Sequence, residues 1–380
     1  MILNPLSTQR RIILLTFFFL LIGQIALFSA TAVMGIQKHA SEFYYVMRQA
    51  SCGLIGLLLM WGTSKIPYQK WRKFSYGLVF AQIGLLVATH VGPFRHFAYG
   101  ATRWLKLGPI LFQPSELAKI TVCIFFASLL ARHRESSLPL KKWLTNSVPI
   151  LLTLLLIFKQ PDLGTTTLLT IVLIGMLFIA GVRLSYLISF LGLGSLGFVF
   201  SIVHYGWRRK RLFAYLNPWA DPQGTGFQTI QSFLSFHSGQ LFGTGLGNGN
   251  SKLFFLPEVH TDFIFALIGE ETGFLGAIAL IIFFTYFSYL LFKVAFSAKD
   301  AFGCYLSFGL SLSMALQIVV NLGGVTGLLP VKGLPLPFIS WGRSSLIVNL
   351  ILMGILLNIS QSSSIISSDT KNEPINELTH

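Results

Sequence analysis

The sequence predicts an all-α polytopic membrane protein with about ten transmembrane helices. Of its 380 residues, 53% are hydrophobic and only 11% are charged, and the mean hydropathy is +0.69. Soluble domains carry about 25% charged residues, and a membrane β-barrel has short alternating segments in place of long apolar runs. The three cysteines lie in apolar runs and are interpreted as packing residues, so a secreted disulfide scaffold is excluded.

Ten apolar segments are long enough to cross a bilayer, because a spanning helix needs about 20 mostly apolar residues. The fifth is short, and the end of the ninth is not defined by the sequence. The first is too long for the core of a signal peptide and is expected to remain as an anchor. The predicted spans are 12–36, 45–64, 74–93, 114–131, 144–158, 163–182, 184–207, 262–292, 302–323 and 344–362.

Lysine and arginine in the short loops predict that both termini are cytoplasmic. Three basic segments fall on one side of a ten-span chain: the N-terminal segment and the connections after the second and fourth spans. Residues 1–362 are predicted to form one membrane domain. Residues 363–380 are predicted to form a polar, disordered cytoplasmic tail. The basic residues are Arg10, Arg11, Lys65, Lys70, Arg72, Lys73, Arg132, Arg134, Lys141 and Lys142.

The net charge of +15 does not predict nucleic-acid binding, because the basic residues are spread along loops that flank the membrane. One basic cluster, Arg208 to Arg211, falls on the outer side, at the start of the long loop 208–261. By itself it favours binding to anionic lipid headgroups, and the alternative is a site for an anionic substrate. Further along this loop, the amphipathic segment 227–236 is expected to lie along the membrane surface.

A glycine-rich run at 243–249 resembles a phosphate-cradling loop. No strand precedes it and the chain offers no βαβ unit, which argues against a dinucleotide site. A flexible backbone that reshapes around a ligand is the preferred interpretation.

Ionisable groups at membrane depth are costly and are therefore candidates for function. Glu116 and Lys119 are three residues apart and can pair on one helix face, and a structural ion pair is slightly favoured for them. Asp162 lies in a tight outer turn, where it either caps the following helix or reaches Lys119. Arg48 is expected to be buried in the second span, with a partner that the sequence does not identify.

Asp262 opens the eighth span at the end of the long loop, and it is either an N-cap or a functional carboxylate. Glu270 and Glu271 lie two turns deeper and are expected to form hydrogen bonds inside the bundle. Gly269 and Gly273 are expected to permit close helix packing. A metal site has weak support, because no cluster of His, Cys and Asp has ligand spacing.

A second outer segment, 329–337, contains three prolines and cannot be helical. We expect a re-entrant or surface loop that lines a cavity. The outer side thus gathers many cations around one or two carboxylates, which suits a phosphorylated substrate with a general base nearby. On these grounds alone, transporter and enzyme remain equal alternatives. The outer groups are Arg103, Lys106, Asp162, residues 208–211, Asp262, Lys332 and Arg343.

Six motifs resemble the SEDS family (shape, elongation, division and sporulation proteins) in order along nearly the whole chain. The run His-Thr-Asp-Phe-Ile-Phe is the most specific of them. Residues 217–222, 245–248 and 332–334 resemble the cell-division branch of the family more than its elongation branch. The motifs are Gly-Ala-Thr-Arg-Trp at 100–104, Gln-Pro-Ser-Glu-Leu-Ala-Lys at 113–119, Gln-Pro-Asp-Leu-Gly-Thr at 160–165, Leu-Pro-Glu at 256–258, His-Thr-Asp-Phe-Ile-Phe at 260–265 and Pro-Val-Lys-Gly-Leu at 330–334.

The resemblance implies a ten-span peptidoglycan glycosyltransferase that polymerises lipid II at the outer face of the cytoplasmic membrane during septal wall synthesis. It also implies that Asp262 is the catalytic base and that a class B penicillin-binding protein crosslinks the product. Other implied partners are the growing lipid-linked glycan strand, further division proteins and membrane lipids. No cofactor is assigned, and a divalent cation is left open. The alternatives are an elongation polymerase, a lipid II flippase and a scaffold that only activates its partner.

The implied reaction needs one base to take the proton of the attacking sugar hydroxyl. The leaving lipid pyrophosphate needs charge stabilisation more than a proton, so one carboxylate with cations suffices, unlike the paired carboxylates of glycosidases. Arg343 replaces a small residue that is common in the family, and the sequence does not decide its effect. The candidate substrate-binding residues are Lys119, Glu116, Asp162, Lys332, Arg103, Arg208 and Arg211.

Overall fold

Long helices form most of the chain in the computed structural model, which describes residues 5–91, 95–98, 101–108, 110–136, 140–204, 206–249 and 257–369. The first seven helices are α1 (Pro5–His39), α2 (Tyr44–Lys65), α3 (Tyr68–Ala88), α4 (Pro114–Ser136), α5 (Leu140–Lys159), α6 (Leu163–Ile179) and α7 (Leu184–His204). The others are α8 (Gly206–Leu216), α9 (Phe227–Gly239), α10 (Ile264–Phe296), α11 (Ala301–Val325) and α12 (Arg343–Asp369).

Each of the ten predicted spans falls on one of the helices α1–α7 and α10–α12. Within the described ranges, five helices are long and apolar enough to cross a membrane, namely α1, α4, α10, α11 and α12, and shorter apolar helices lie in α5 and α6. The predicted class, a helical polytopic membrane protein, is confirmed. The number of spans and the position of the long loop stay predictions.

A small sheet between α3 and α4 was not predicted. Its antiparallel strands β1 (Arg95–Ala98), β2 (Ala101–Leu107) and β3 (Ile110–Phe112) lie in that order. The third predicted span extended to residue 93, but α3 ends at Ala88. Strands of three to seven residues leave a short alternating pattern, which is difficult to recognise beside long apolar runs.

The helix α4 lies at the centre of the bundle and packs against α3, α5, α6, α11 and α12. It is buried almost throughout its length, as expected for a helix whose middle, residues 120–131, is largely apolar on all sides. At the edge of the bundle, α2 packs along α12, where Gly56 lies against the side chain of Leu350. Small residues and interhelical hydrogen bonds drive association in lipid, and Asn358 supplies such a bond to the Ser64 carbonyl at 2.8 Å.

The helix α10 is broken at Gly273, whose φ of 70° lies in the left-handed region. The glycine-rich run packs its backbone against this break. The Thr244 and Gly245 amides donate to the Glu270 and Glu271 carbonyls at 3.0 and 3.1 Å. This run was expected to be a flexible ligand loop, and the structure instead shows it bound to α10. Gly273 was expected to serve helix packing, and it forms the break.

Two further predictions for α10 and its surroundings are confirmed. Ser29 on α1 donates a hydrogen bond to the buried carboxylate of Glu271, as expected for a polar group inside the bundle. Gly269 allows the ring of Phe236 on α9 to approach closely.

The predicted amphipathic segment forms α9, one turn longer than expected, and Ser232 ties it to α11 through the Val325 carbonyl at 2.7 Å. At the C-terminal end, α12 continues to Asp369, so residues 363–369 of the predicted disordered tail are helical. Residues 370–380 lie outside the described residues.

Candidate active site

Asp262 lies in a tight turn just before α10. The carbonyl of Glu258 accepts hydrogen bonds from the Thr261 and Asp262 amides at 3.1 and 3.2 Å. The N-cap of α10 is Phe263, and no side chain caps this helix. The N-cap interpretation of Asp262 is therefore wrong, and its carboxylate is available for another role.

The pKa of the Asp262 carboxyl is raised from 3.8 to about 7, mainly by burial and then by the negative charge of Glu258. The positive charge of Arg211 acts in the opposite direction. From the sequence, a helix N-terminus was expected to favour the charged form of Asp262 and to keep it ionised near neutral pH. That expectation is wrong, because desolvation disfavours the charged form and Asp262 does not bond to the helix terminus.

The proline-containing segment runs from α11 to α12 without helical structure, as predicted. It passes between Asp262 and the start of α6. A Cβ placed on Gly333 would lie 3.2 Å from Oδ2 of Asp262, and a Cβ placed on Gly164 would lie 3.4 Å from Nζ of Lys332. The two neighbouring residues of this loop thus contact the carboxylate on one side and α6 on the other.

Two amides on one face of α11 hold this loop by its backbone. Asn321 donates to the Leu334 carbonyl at 2.8 Å and to the Asp262 carbonyl at 3.0 Å. One turn earlier, Gln317 donates to the Pro335 carbonyl at 2.7 Å. Sequence reasoning missed both residues, although two amides four apart in an apolar helix are a recognisable signal.

The predicted pair of Glu116 and Lys119 is present and buried, with 2.7 Å between Nζ and Oε2. The same ammonium donates to Oε1 of Gln317 at 2.6 Å. This ion pair therefore continues, through Gln317, to the loop that carries Lys332.

Asp162 was predicted either to join this cluster or to cap α6, and the structure shows the cap. Its carboxylate accepts from the amide of Thr165 at 3.2 Å and from the hydroxyl of Thr165 at 2.9 Å. Lys119 bonds to Glu116 and Gln317 instead. The prediction of one cluster that includes Asp162 is therefore wrong.

Arg103 binds backbone at the turn between α5 and α6. It donates to the carbonyls of Gln160 and Pro161 at 3.0 and 2.7 Å. These bonds fix the turn that precedes Asp162. Lys106, also grouped on the outer side, is exposed.

The basic cluster lies on α8. Arg211 is exposed and acts electrostatically on Asp262, which places it near the carboxylate. Arg209 and Lys210 are also exposed, whereas the side chain of Arg208 lies outside the described part of the structure.

Arg48 was predicted to be buried, and this is wrong. The residue is exposed, and its guanidinium lies 4.4 Å from the ring centroid of Tyr44. Arg48 is close enough to the start of α2 that its charge need not be paired inside the bundle.

Trp341 connects the loop before α12 to the turn before Asp262, because its amide donates to the His260 carbonyl at 2.8 Å. Burial lowers the pKa of the His260 imidazole below its usual value, and the charge of Glu258 opposes this shift. Backbone hydrogen bonds therefore hold the turn before Asp262 internally, through the Glu258 carbonyl, and join it to the loop before α12, through Trp341.

Within the described ranges, no group of three or more His, Cys, Asp and Glu side chains is arranged to hold a metal ion.

The family model of the FtsW, RodA and SpoVE cell cycle proteins matches residues 9–365. A probable peptidoglycan glycosyltransferase FtsW of Geobacter metallireducens is 41% identical over 342 residues, 89% of this chain and 90% of that protein. Stage V sporulation protein E of Bacillus subtilis is 37% identical and covers 94% of this chain and 98% of its own. A solved chain, described in terms of polymerization and crosslinking coordinated by a peptidoglycan synthase complex, has a TM-score of 0.73 and 27% identity, with 93% and 97% covered.

Proposed function

Because this chain belongs to the FtsW, RodA and SpoVE family of cell cycle proteins, we propose that it is a peptidoglycan glycosyltransferase that polymerises lipid II. The proposal is supported chiefly by the environment of the Asp262 side chain. A carboxyl whose pKa is about 7 lies between a loop that carries Lys332 and a helix that carries Arg211. A general base works best when its pKa is near the operating pH.

In the proposed reaction, Asp262 takes the proton from a sugar hydroxyl as that oxygen forms a bond to the anomeric carbon of the donor. The bond between this carbon and the lipid pyrophosphate breaks, and the pyrophosphate leaves with the electron pair. A single displacement inverts the anomeric carbon. Only one carboxylate is needed, because the pyrophosphate is a good leaving group once its charge is balanced.

The leaving pyrophosphate is proposed to bind Lys332, which is carried by the loop that packs against Asp262, and Arg211, whose charge acts on Asp262. Four other predicted substrate-binding residues are assigned supporting roles in holding the structure around the site. Glu116 and Lys119 hold the loop through Gln317, while Asp162 and Arg103 hold the start of α6. Arg208 is retained as a further candidate for the pyrophosphate.

The protein is an integral membrane protein. Its location in the bacterial cytoplasmic membrane, with both termini in the cytoplasm and the site facing outward at the division site, is part of the proposal. A class B penicillin-binding protein is the proposed partner. The similarity to a chain of a peptidoglycan synthase complex supports this partner, and the FtsW relative supports a role in division rather than elongation.

Polymerisation of lipid II by the purified protein with its partner in detergent tests the proposal. A polymerase should produce glycan strands without any bilayer, and the strands should be visible as a ladder on a gel. If no strands form, while the protein moves lipid II across the bilayer of vesicles, a flippase is the correct function.

A further inference from the structure

Two arginines lie on the two sides of the seam between α2 and α12, at the predicted outer end of both helices. Gln49 on α2 donates to the carbonyl of Ser340 at 2.9 Å, which fixes the two segments against each other. Arg48 precedes Gln49, and Arg343 is the first residue of α12. Both guanidinium groups act electrostatically on the thiol of Cys52, so they lie around one point of the seam.

Aromatic rings support both guanidinium groups. Arg48 lies 4.4 Å from the ring centroid of Tyr44, and Arg343 lies 5.9 Å from that of Trp341. The ring of Tyr45 packs edge-on to Trp341 with 5.3 Å between centroids and joins the two halves. Stacking on a ring face orients a guanidinium and leaves its N–H edge available for hydrogen bonds.

Neither of these arginines has a carboxylate at ion-pair distance among the residues that the structure describes. Arg48 is exposed and Arg343 is half-buried, so both are accessible. Two like charges that face the same region without an acid repel each other. A bound anion relieves this repulsion, and planar guanidinium groups match the oxygens of a phosphate.

The arginine pair lies beside the turn that carries Asp262. The amide of Trp341 donates to the His260 carbonyl at 2.8 Å, and the ring centroids of Tyr45 and His260 are 5.9 Å apart. Lys332 and Arg211 belong to other elements, since Lys332 lies in the loop before α12, against the start of α6, and Arg211 acts on Asp262 from α8. The site therefore has two separate groups of cations.

We propose that Arg48 and Arg343 bind the lipid pyrophosphate that the reaction does not expel. The inference rests on the proposed function, in which two lipid-pyrophosphate substrates react and only one of them loses its pyrophosphate. The second substrate keeps its pyrophosphate and needs a cationic site of its own. The headgroup of an anionic phospholipid offers the same phosphate chemistry and is the other source.

Native mass spectrometry of the purified protein with polyprenyl pyrophosphate tests the proposal directly. The wild type should bind two molecules, and the double variant Arg48→Gln/Arg343→Gly should bind one. Arg343→Gly alone should weaken the second binding event about tenfold, since it removes a charge-assisted bond. Lys65→Gln, which removes a cation at the other end of α2, should still bind two.

Two molecules bound by the double variant with wild-type affinity would overturn the proposal. The same binding experiment is repeated with phosphatidylglycerol. If the double variant loses binding of this lipid only, the site binds a phospholipid headgroup and the pyrophosphate assignment is wrong. The proposed function can fail while this inference holds. In that case the wild type makes no glycan, but the double variant still binds one molecule of polyprenyl pyrophosphate fewer than the wild type. For Arg343→Gly in the active complex, the KM for lipid II should rise about tenfold with little change in kcat.

Discussion

The carboxylate of Asp262 lies where burial and Glu258 raise its pKa, while Arg211 opposes the shift. The family motif at 260–265 made Asp262 the candidate base among several acids at the edges of apolar segments, and this role stays a proposal. The sequence was not sufficient to predict the pKa of the carboxyl. That quantity depends on desolvation, which arises when the loop carrying Gly333 packs against the carboxylate.

The pH dependence of polymerisation should report this pKa. As general base, Asp262 must be ionised, so kcat/KM should rise with pH and level off above about 7. Glu258→Gln removes a negative charge and should move the midpoint to lower pH. Arg211→Gln removes a positive charge and should move it to higher pH. Shifts of the two midpoints in the same direction would contradict the assignment.

The same pKa predicts how Asp262→Asn changes stability. The folded-state pKa is raised above the unfolded value, so ionisation disfavours the folded state increasingly from about pH 4 to about pH 7 and fully above it. The neutral amide has no such cost. Asp262→Asn should therefore raise the melting temperature more at pH 8 than at pH 5, as measured by thermal unfolding in detergent. An equal effect at both values would place the carboxyl pKa outside this range.

At the scale of elements, apolar length predicted where the helices lie, and the three prolines predicted the irregular loop between α11 and α12. The break of α10 could not be predicted. In the sequence, Gly273 looks like one more small residue of an apolar helix. Its φ of 70° is seen only in the structure, where the backbone of the glycine-rich run packs against it. The sequence also placed Asp162 and Lys119 on the same side of the membrane, but a position on the same side does not establish that two side chains are in contact.

The buried pair on α4 should be costly to break. Lys119→Met leaves the carboxylate of Glu116 without its cation inside the bundle, which typically costs about 3–5 kcal/mol. Thermal unfolding should show this loss, and Glu116→Gln added to Lys119→Met should recover part of it. The control is Arg72→Met, which breaks an exposed ion pair and should cost less than about 1 kcal/mol. Similar losses for both single variants would contradict a structural role for the buried pair.

For the whole molecule, composition was sufficient to predict a polytopic helical membrane protein, and the order of motifs was sufficient to predict the family. The small sheet and the packing of α9 against α11 could not be predicted, since both depend on contacts between distant segments. The orientation in the membrane still depends on the distribution of basic residues in the loops.

Cysteine labelling in intact cells checks this orientation. In a variant without the three native cysteines, Gln223→Cys in the long loop should react with an impermeant maleimide. Lys70→Cys at the start of α3 should react only after permeabilisation. Both positions are exposed in the structure, so accessibility within the protein is matched. The reverse pattern would invert the topology and place Asp262 on the cytoplasmic side.

If Asp262 is the base of a glycan polymerase, the substitution Asp262→Asn should abolish most of the activity without unfolding the protein. The substitution keeps the size of the side chain and removes its ability to accept a proton. The variant, purified with its transpeptidase partner, should fold and hold the partner like the wild type, while its rate of lipid II polymerisation should fall by about 10²–10⁴-fold. Polymerisation by Asp262→Asn at the wild-type rate would contradict the claim and leave Glu258 as the next carboxylate to examine.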